Sequence, residues 1–231
     1  MKKVLLGLTT TGGSSIKEKI EEIKEFNLKE IALFLTGINQ KKRRELYSAL
    51  EETPLKEIPH VHLRNDMEKW ELEYLESRFE VSAYNIHGQK SSFPFSGCGE
   101  ILKSYGNKIY IENTEFVPDQ EEMKKVGGLC VDFSHWQDAI LLNWEKYDHK
   151  LRTSAKEFPV GCSHVSAVGK FAGDSFTGEG YSKHRFDDIS ELDYMKNFIN
   201  YLPDLISLEL ENSFKEQMKV KDYLRKQLDL F

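Results

Sequence analysis

Short apolar runs rich in β-branched and aromatic residues alternate along this chain with longer segments whose apolar positions recur at helical spacing. The runs are Val4–Thr9, Ile31–Thr36, Pro59–Arg64, Val81–His87, Lys108–Asn113, Leu129–Phe133, Val160–Val165 and Leu205–Glu211, and each is the length of a buried strand. Between them, Ser15-x-x-Glu18 opens a helix as a capping box and Ile16, Ile20 and Ile23 form its apolar stripe. Leu46 with Leu50, and Trp70 with Tyr74 and Leu75, mark the next two helices. Ser190-x-x-Asp193 starts a late helix with Leu192, Met195, Ile199 and Leu202 on one face. Phe214, Met218, Leu224 and Leu228 mark the last. The βαβα alternation predicts a parallel sheet. Eight strand–helix units in 231 residues predict a single α/β domain over 1–231, a (β/α)8 TIM barrel. An open doubly wound sheet is the alternative, but no GxGxxG or GxxxxGK[ST] follows the first strand. One interval breaks the rhythm: Ser166 to Asp188 carries Gly169, Gly173, Gly178 and Gly180 and no apolar period, the mark of a functional or a disordered loop.

Composition narrows the class. Hydrophobic residues make up 39% and charged residues 30%, and no apolar run nears the ~18 residues of a membrane span. The start, Met1-Lys2-Lys3 before Val4–Leu8, is too short in its apolar part for a signal peptide. Three cysteines (Cys98, Cys130, Cys162) with no CxxC pair predict neither a disulfide framework nor a thiolate zinc site, so a cytoplasmic location is expected. A net charge of −6 weighs against a protein held to nucleic acid by charge alone.

The candidate chemistry sits at strand ends. His62, His87, His135 and His164 fall at or just after the C-terminal ends of successive strands, His60 precedes His62 by two, and His184 lies in the long loop; only His149 falls in a helix. Glu112, Asp132 and Glu209 end strands on positions that period-two alternation turns into a barrel. Inward acids repel one another in a low-dielectric interior, and a divalent cation removes that cost. Each feature alone has an ordinary explanation. A strand-end histidine is commonly a hydrogen-bonding structural residue, Asp132 with Ser134 suits a helix cap, His149 beside Asp148 reads as surface, and Lys41-Lys42-Arg43-Arg44 reads as an exposed helix face. Cys130 and Cys162 read as buried packing residues. The conjunction at one end of most strands argues for a site, because barrels present their catalytic groups on the C-terminal rim.

The runs Ile111-Glu112-Asn113, Val131-Asp132-Phe133-Ser134-His135, Cys162-Ser163-His164-Val165 and Ser207-Leu208-Glu209 resemble the successive metal-site strands of the xylose isomerase-like barrel superfamily. That group includes sugar isomerases and epimerases and abasic-site nucleases of the endonuclease IV type. The resemblance covers the chain in strand order and implies that Glu112, Asp132, His164 and Glu209 ligate a divalent metal: zinc, manganese or cobalt. It matches His135 to a histidine that touches substrate in the epimerases and binds a further metal in the nucleases. His62 and His87 match histidine ligands of an additional zinc in the nuclease branch. His184 matches the histidine of that branch's Asp-x-His motif, whose first position is Ser182 here, a departure from the three-metal pattern. Glu211 shares a face with Glu209 and competes with it as a ligand.

Two functions follow from this reading. In the first, which the sequence favours narrowly, the chain isomerises or epimerises a small sugar, sugar phosphate or hydroxy-ketone. Glu112 and Glu209 pass a proton across a metal-stabilised enediolate, and His135 orients the oxygen. In the second, two or more zinc ions hydrolyse a phosphodiester, as in abasic-site nucleases. The histidines beyond the first ligand set support it, and net charge, Ser182 and short loops in the first half oppose it. Nucleic acid is a partner only in that second case; otherwise the partner is a small molecule, with His62, His87 and His184 as further substrate contacts. A barrel with a vestigial metal site is a third outcome. The segment from Ser166 to Asp188 is expected to act as a lid and anion clamp, with Lys170, Lys183 and Arg185 supplying positive charge.

Overall fold

The structure, a computed structural model, describes residues 2–91, 99–173 and 180–230. Its strands are β1 (Lys3–Leu5), β2 (Gly7–Thr9), β3 (Glu30–Phe34), β4 (Glu57–His62), β5 (Ala83–His87), β6 (Ile109–Glu112), β7 (Gly128–Asp132), β8 (Val160–Val165), β9 (Ala167–Val168), β10 (Ser182–Lys183) and β11 (Leu205–Leu208). The helices are α1 (Ile16–Glu25), α2 (Gln40–Glu51), α3 (Lys69–Arg78), α4 (Gly99–Tyr105), α5 (Gln120–Met123), α6 (Phe133–Leu141), α7 (Glu145–Glu157) and α8 (Phe214–Gln227). Nine strands form one parallel sheet in the order β1-β11-β8-β7-β6-β5-β4-β3-β2. The expected α/β barrel is therefore present, with nine strand segments in place of eight. The extra one arises at the first strand, where Leu6 alone separates β1, paired with β11, from β2, paired with β3. The two ends of the sheet are thus neighbouring stretches of one extended run, and the sheet closes on itself.

That seam is completed by side chains. Gly7 N–H donates to Gln217 Oε1 at 2.7 Å, and Gly7 O accepts from both Lys19 Nζ and Gln217 Nε2, which also donate to Leu210 O. A Cβ on Gly7 would stand 1.8 Å from Leu208 O, so only glycine lets the strands meet there. Polar Lys19 and Gln217 are buried because they satisfy backbone groups left outside the ladder.

The helices bury the stripes expected for α1 and α2, with corrections elsewhere. Arg43 is not an exposed residue: it is fully buried and grips Glu71 of α3 through Nε and Nη2, at 2.7 and 2.8 Å. Arg44 lies over the Trp70 ring, 3.9 Å from its centroid, while Leu72 and Leu75 carry the core contact of α3. The late helix is a 3₁₀ helix, Ile189–Tyr201, capped by Asp188 rather than Ser190. Its buried residues Leu192, Met195 and Phe198 recur every three positions, the 3₁₀ period, which leaves Ile199 46% exposed. Strand β7 ends at Asp132, so Phe133 and His135 belong to α6. Within Ser166–Asp188, the antiparallel pair β9 and β10 replaces part of the expected loop, and residues 174–179 lie outside the described residues. No helix among the described residues is long and apolar enough to cross a membrane.

Candidate metal centre

The strand ends bring Glu112 (β6), Asp132 (β7), His164 (β8) and Glu209 (after β11) together, all four nearly fully buried. Glu209 N–H donates to Val165 O at 2.9 Å, which carries the β8 pairing one residue past β11 and turns its carboxylate inward. His164 Nδ1 faces Glu209 Oε2 at 3.3 Å, Glu112 Oε1 at 3.6 Å and Asp132 Oδ2 at 4.0 Å. Among the described residues neither ring nitrogen of His164 has a hydrogen-bond partner, although the ring is wholly buried. A buried imidazole ringed by three carboxylate oxygens calls for positive charge at that point, either its own second proton, which Glu112 and Glu209 favour against the cost of burial, or a bound cation. Ligands at about 2.0–2.2 Å from a zinc-sized ion stand about 3.0–3.6 Å apart; Asp132, His164 and Glu209 keep one ligand atom each within 4.8 Å of one another, and Glu112 borders that group through the His164 ring. Burial alone would raise the Glu209 carboxyl, but His184 and His164 outweigh it and bring it down to about 2. Burial likewise opposes charge on Glu112, yet His164, His87 and His62 hold its carboxyl well below the usual range.

Asp132 divides its two oxygens. Oδ1 caps α6, accepting from Ser134 N, Ser134 Oγ and His135 N at 2.8, 2.6 and 3.0 Å, and Oδ2 faces the cage. Capping α6 with one oxygen thus leaves the other turned to the His164 ring. Asn113 fixes the same strand end by donating to Asp132 O and accepting from Asp132 N. His135, one turn into α6 and 36% exposed, stands with Nε2 3.8 Å from Asp132 Oδ2 at the open side of the site.

A second cluster shares Glu112. His62 Nε2 lies 3.0 Å from Glu112 Oε2, His87 Nε2 lies 3.7 Å from the same oxygen, and the two ring nitrogens are 3.2 Å apart. His62 Nδ1 is 2.9 Å from Leu63 O, an acceptor only, so the proton of a neutral ring sits on Nδ1. Nε2 then points a lone pair at a carboxylate oxygen, and a proton or a cation must lie between them. Four groups among the described residues keep their ligand atoms within 4.8 Å of one another: His62–His87–Glu112, Glu112–Asp132–His135, Asp132–His164–Glu209 and, one layer deeper, His60–Cys130–Cys162.

His184 reaches the edge of the site, its Nε2 4.0 Å from Glu209 Oε2. Ser182 is bound instead to Asp138 of α6, through its amide and its hydroxyl, which pins β10 against that helix. Glu211 turns away to accept from Thr11 Oγ1 and Gly13 N, leaving the inward position to Glu209. Lys183 is engaged by Asp187 at 2.8 Å and Glu191 at 3.0 Å, whereas Lys170 and Arg185 are exposed. The surface histidine His149 is exposed, as expected. Three further inward residues, His60, Asn85 and Ser207, lie two positions before His62, His87 and Glu209 and are not among the residues expected in the site. Strand periodicity places them on the same inward face, one layer deeper.

No family model matches this chain, and none of the curated proteins matches it. Among solved structures it is similar to a xylose isomerase domain protein from Alicyclobacillus acidocaldarius subsp. acidocaldarius, with a TM-score of 0.51 and 12% identity over 100% of this chain and 99% of that one. At that identity the likeness is one of fold, that of an α/β barrel.

Proposed function

We propose that the chain is a divalent-metal-dependent enzyme that hydrolyses a phosphate ester, a phosphodiester above all, at the barrel mouth. The observation that carries this reading is the double engagement of Glu112: Oε1 faces the His164 cage while Oε2 faces His62 and His87. A carboxylate that offers one oxygen to each of two adjoining ligand sets would be able to hold a cation on each side. When bound, such a pair supplies positive charge to both the attacked and the departing oxygens of a phosphoryl group. His135, half-exposed and close to Asp132 Oδ2, is in place to take or return a proton at Nε2. Lys170 and Arg185 bring exposed positive charge to the arm beside the mouth and suit an anionic substrate, while Lys183 serves to tie that arm to Asp187 and Glu191.

An isomerase or epimerase is the second reading. Glu112 and Glu209 approach the same His164 nitrogen from β6 and from the end of β11, an arrangement that suits two carboxylates on opposite faces of one small substrate. Against it, both oxygens of Glu112 are already engaged, so a free base is wanting on that side. The fold neighbour's description as a xylose isomerase domain protein belongs to that protein.

The test runs both chemistries on one preparation loaded with zinc or manganese. Release of p-nitrophenol from its bis-phosphodiester, or nicking of an abasic-site duplex, abolished by chelation and by Asp132→Asn, is the expected result. Solvent deuterium appearing at carbon in sugar phosphates, with no ester cleavage, would replace hydrolysis by the second reading.

A further inference from the structure

Beneath the metal-centre residues, three buried side chains from three strands form an unbroken hydrogen-bond chain that ends on Glu112. Ser207 Oγ (β11) is 2.7 Å from His60 Nδ1 (β4), His60 Nε2 is 3.0 Å from Asn85 Oδ1 (β5), and Asn85 Nδ2 donates to Glu112 Oε2 at 2.6 Å. All four residues are at most 4% exposed. With Glu112 ionised and the His60 ring neutral, the direction of every bond follows from the last one. An ionised carboxylate has no proton to give, so the Asn85 amide must present Nδ2 to Glu112 and Oδ1 to His60. His60 must then donate from Nε2, which leaves Nδ1 as an acceptor, and the Ser207 hydroxyl must supply that proton. A neutral His60 with its proton on Nε2 is the one tautomer that satisfies the row.

We infer that Ser207, His60 and Asn85 are positioning residues that orient Glu112 as the bridging carboxylate, an inference that rests on the metal-dependent reading above. Asn85 occupies one lone pair of Oε2 and so leaves the remaining one for the side of His62 and His87, while Oε1 stays turned to His164. None of the three touches the open mouth, and their effect on the site passes through the rotamer of Glu112. Outer hydrogen-bond partners of metal ligands are worth roughly 10–100-fold in metal affinity.

Two measurements on the full chain test this. In metal-free protein, ¹⁵N-resolved imidazole spectra should place the His60 proton on Nε2 at neutral pH; an Nδ1-protonated or doubly protonated ring overturns the chain. Zinc affinity is then measured by competition with a chromogenic chelator. His60→Leu, which gives Asn85 no donor, should bind zinc at least about tenfold more weakly, and His60→Gln, whose amide nitrogen can donate to Asn85 Oδ1, should restore most of the loss. Equal zinc affinity in the parent and His60→Leu, or equal loss in Leu and Gln variants that fold alike by circular dichroism, overturns the positioning role. A parent chain that takes up no divalent metal but shows the Nε2 tautomer rejects the metal-dependent function and leaves the orientation of Glu112 by this chain in place.

Discussion

His62 Nε2 and Glu112 Oε2 stand 3.0 Å apart in a buried corner of the barrel mouth, with the other His62 nitrogen committed to a backbone carbonyl. The two atoms can approach so closely only with a proton or a cation between them, which makes the pair a test of metal number. Elemental analysis of the zinc-loaded chain should give two or more ions. His62→Ala or His87→Ala should remove one and spare the ion of the His164 cage. One ion per chain, unchanged by either substitution, would return these histidines to substrate contacts and favour the isomerase reading.

Loss of the cage should be visible in stability as well as in content. Glu209→Gln should sharply reduce occupancy, and the Glu112→Gln/Glu209→Gln double variant should abolish it. An ion present at about a hundred times its Kd adds about 2.7 kcal/mol to the folded state. Chelation should therefore lower the melting temperature of the parent by roughly 5–10 °C and leave that of the double variant unchanged. Full occupancy in the double variant would reject the site.

The buried Arg43–Glu71 pair joins α2 to α3, and Glu71 also accepts from the Tyr47 hydroxyl at 3.0 Å. Arg43→Met would leave a fully buried carboxylate without its cation. It should cost about 3–5 kcal/mol in urea unfolding, and Arg43→Met/Glu71→Leu should recover much of that. An exposed-face lysine such as Lys42, changed to Met, serves as the control and should alter stability by less than about 0.5 kcal/mol.

Lys19 gives a pH signature. Burial, opposed by Glu22, Glu211 and Glu216, brings its amine down to about 7 from 10.5. Between pH 7 and about 10 the unfolded chain then binds a proton that the folded chain does not, so this residue's contribution to stability rises with pH across that window. Lys19→Met should remove the rise. Gln217 still donates to both carbonyls that Lys19 serves, so the variant should gain about 1 kcal/mol at pH 6. A parallel pH profile in parent and variant would show that Lys19 does not titrate there.

Strand and site were legible in the chain to the extent that they depend on local period. Alternation over two residues put Glu112, Asp132, His164 and Glu209 on inward positions at strand ends, and the order of strands brought them to one rim. The same alternation contained His60, Asn85 and Ser207, but which inward polar residues meet depends on the stagger of strands around the barrel. That stagger also decided that Glu112 serves two clusters, because a carboxylate's two oxygens can be aimed separately only once neighbours on both sides are placed. Other features lay beyond any local pattern. Arg43 sits in a run of four basic residues, and only the packing of α3 against α2 buries it on Glu71. Lys19 and Gln217 occupy polar positions of amphipathic helices, and they are buried because closing the sheet leaves backbone carbonyls at Gly7 and Leu210 to be satisfied. Hydrophobic period records which face of an element turns inward; the partner that a buried polar group finds is decided by residues distant in sequence, and only the closed barrel brings those together.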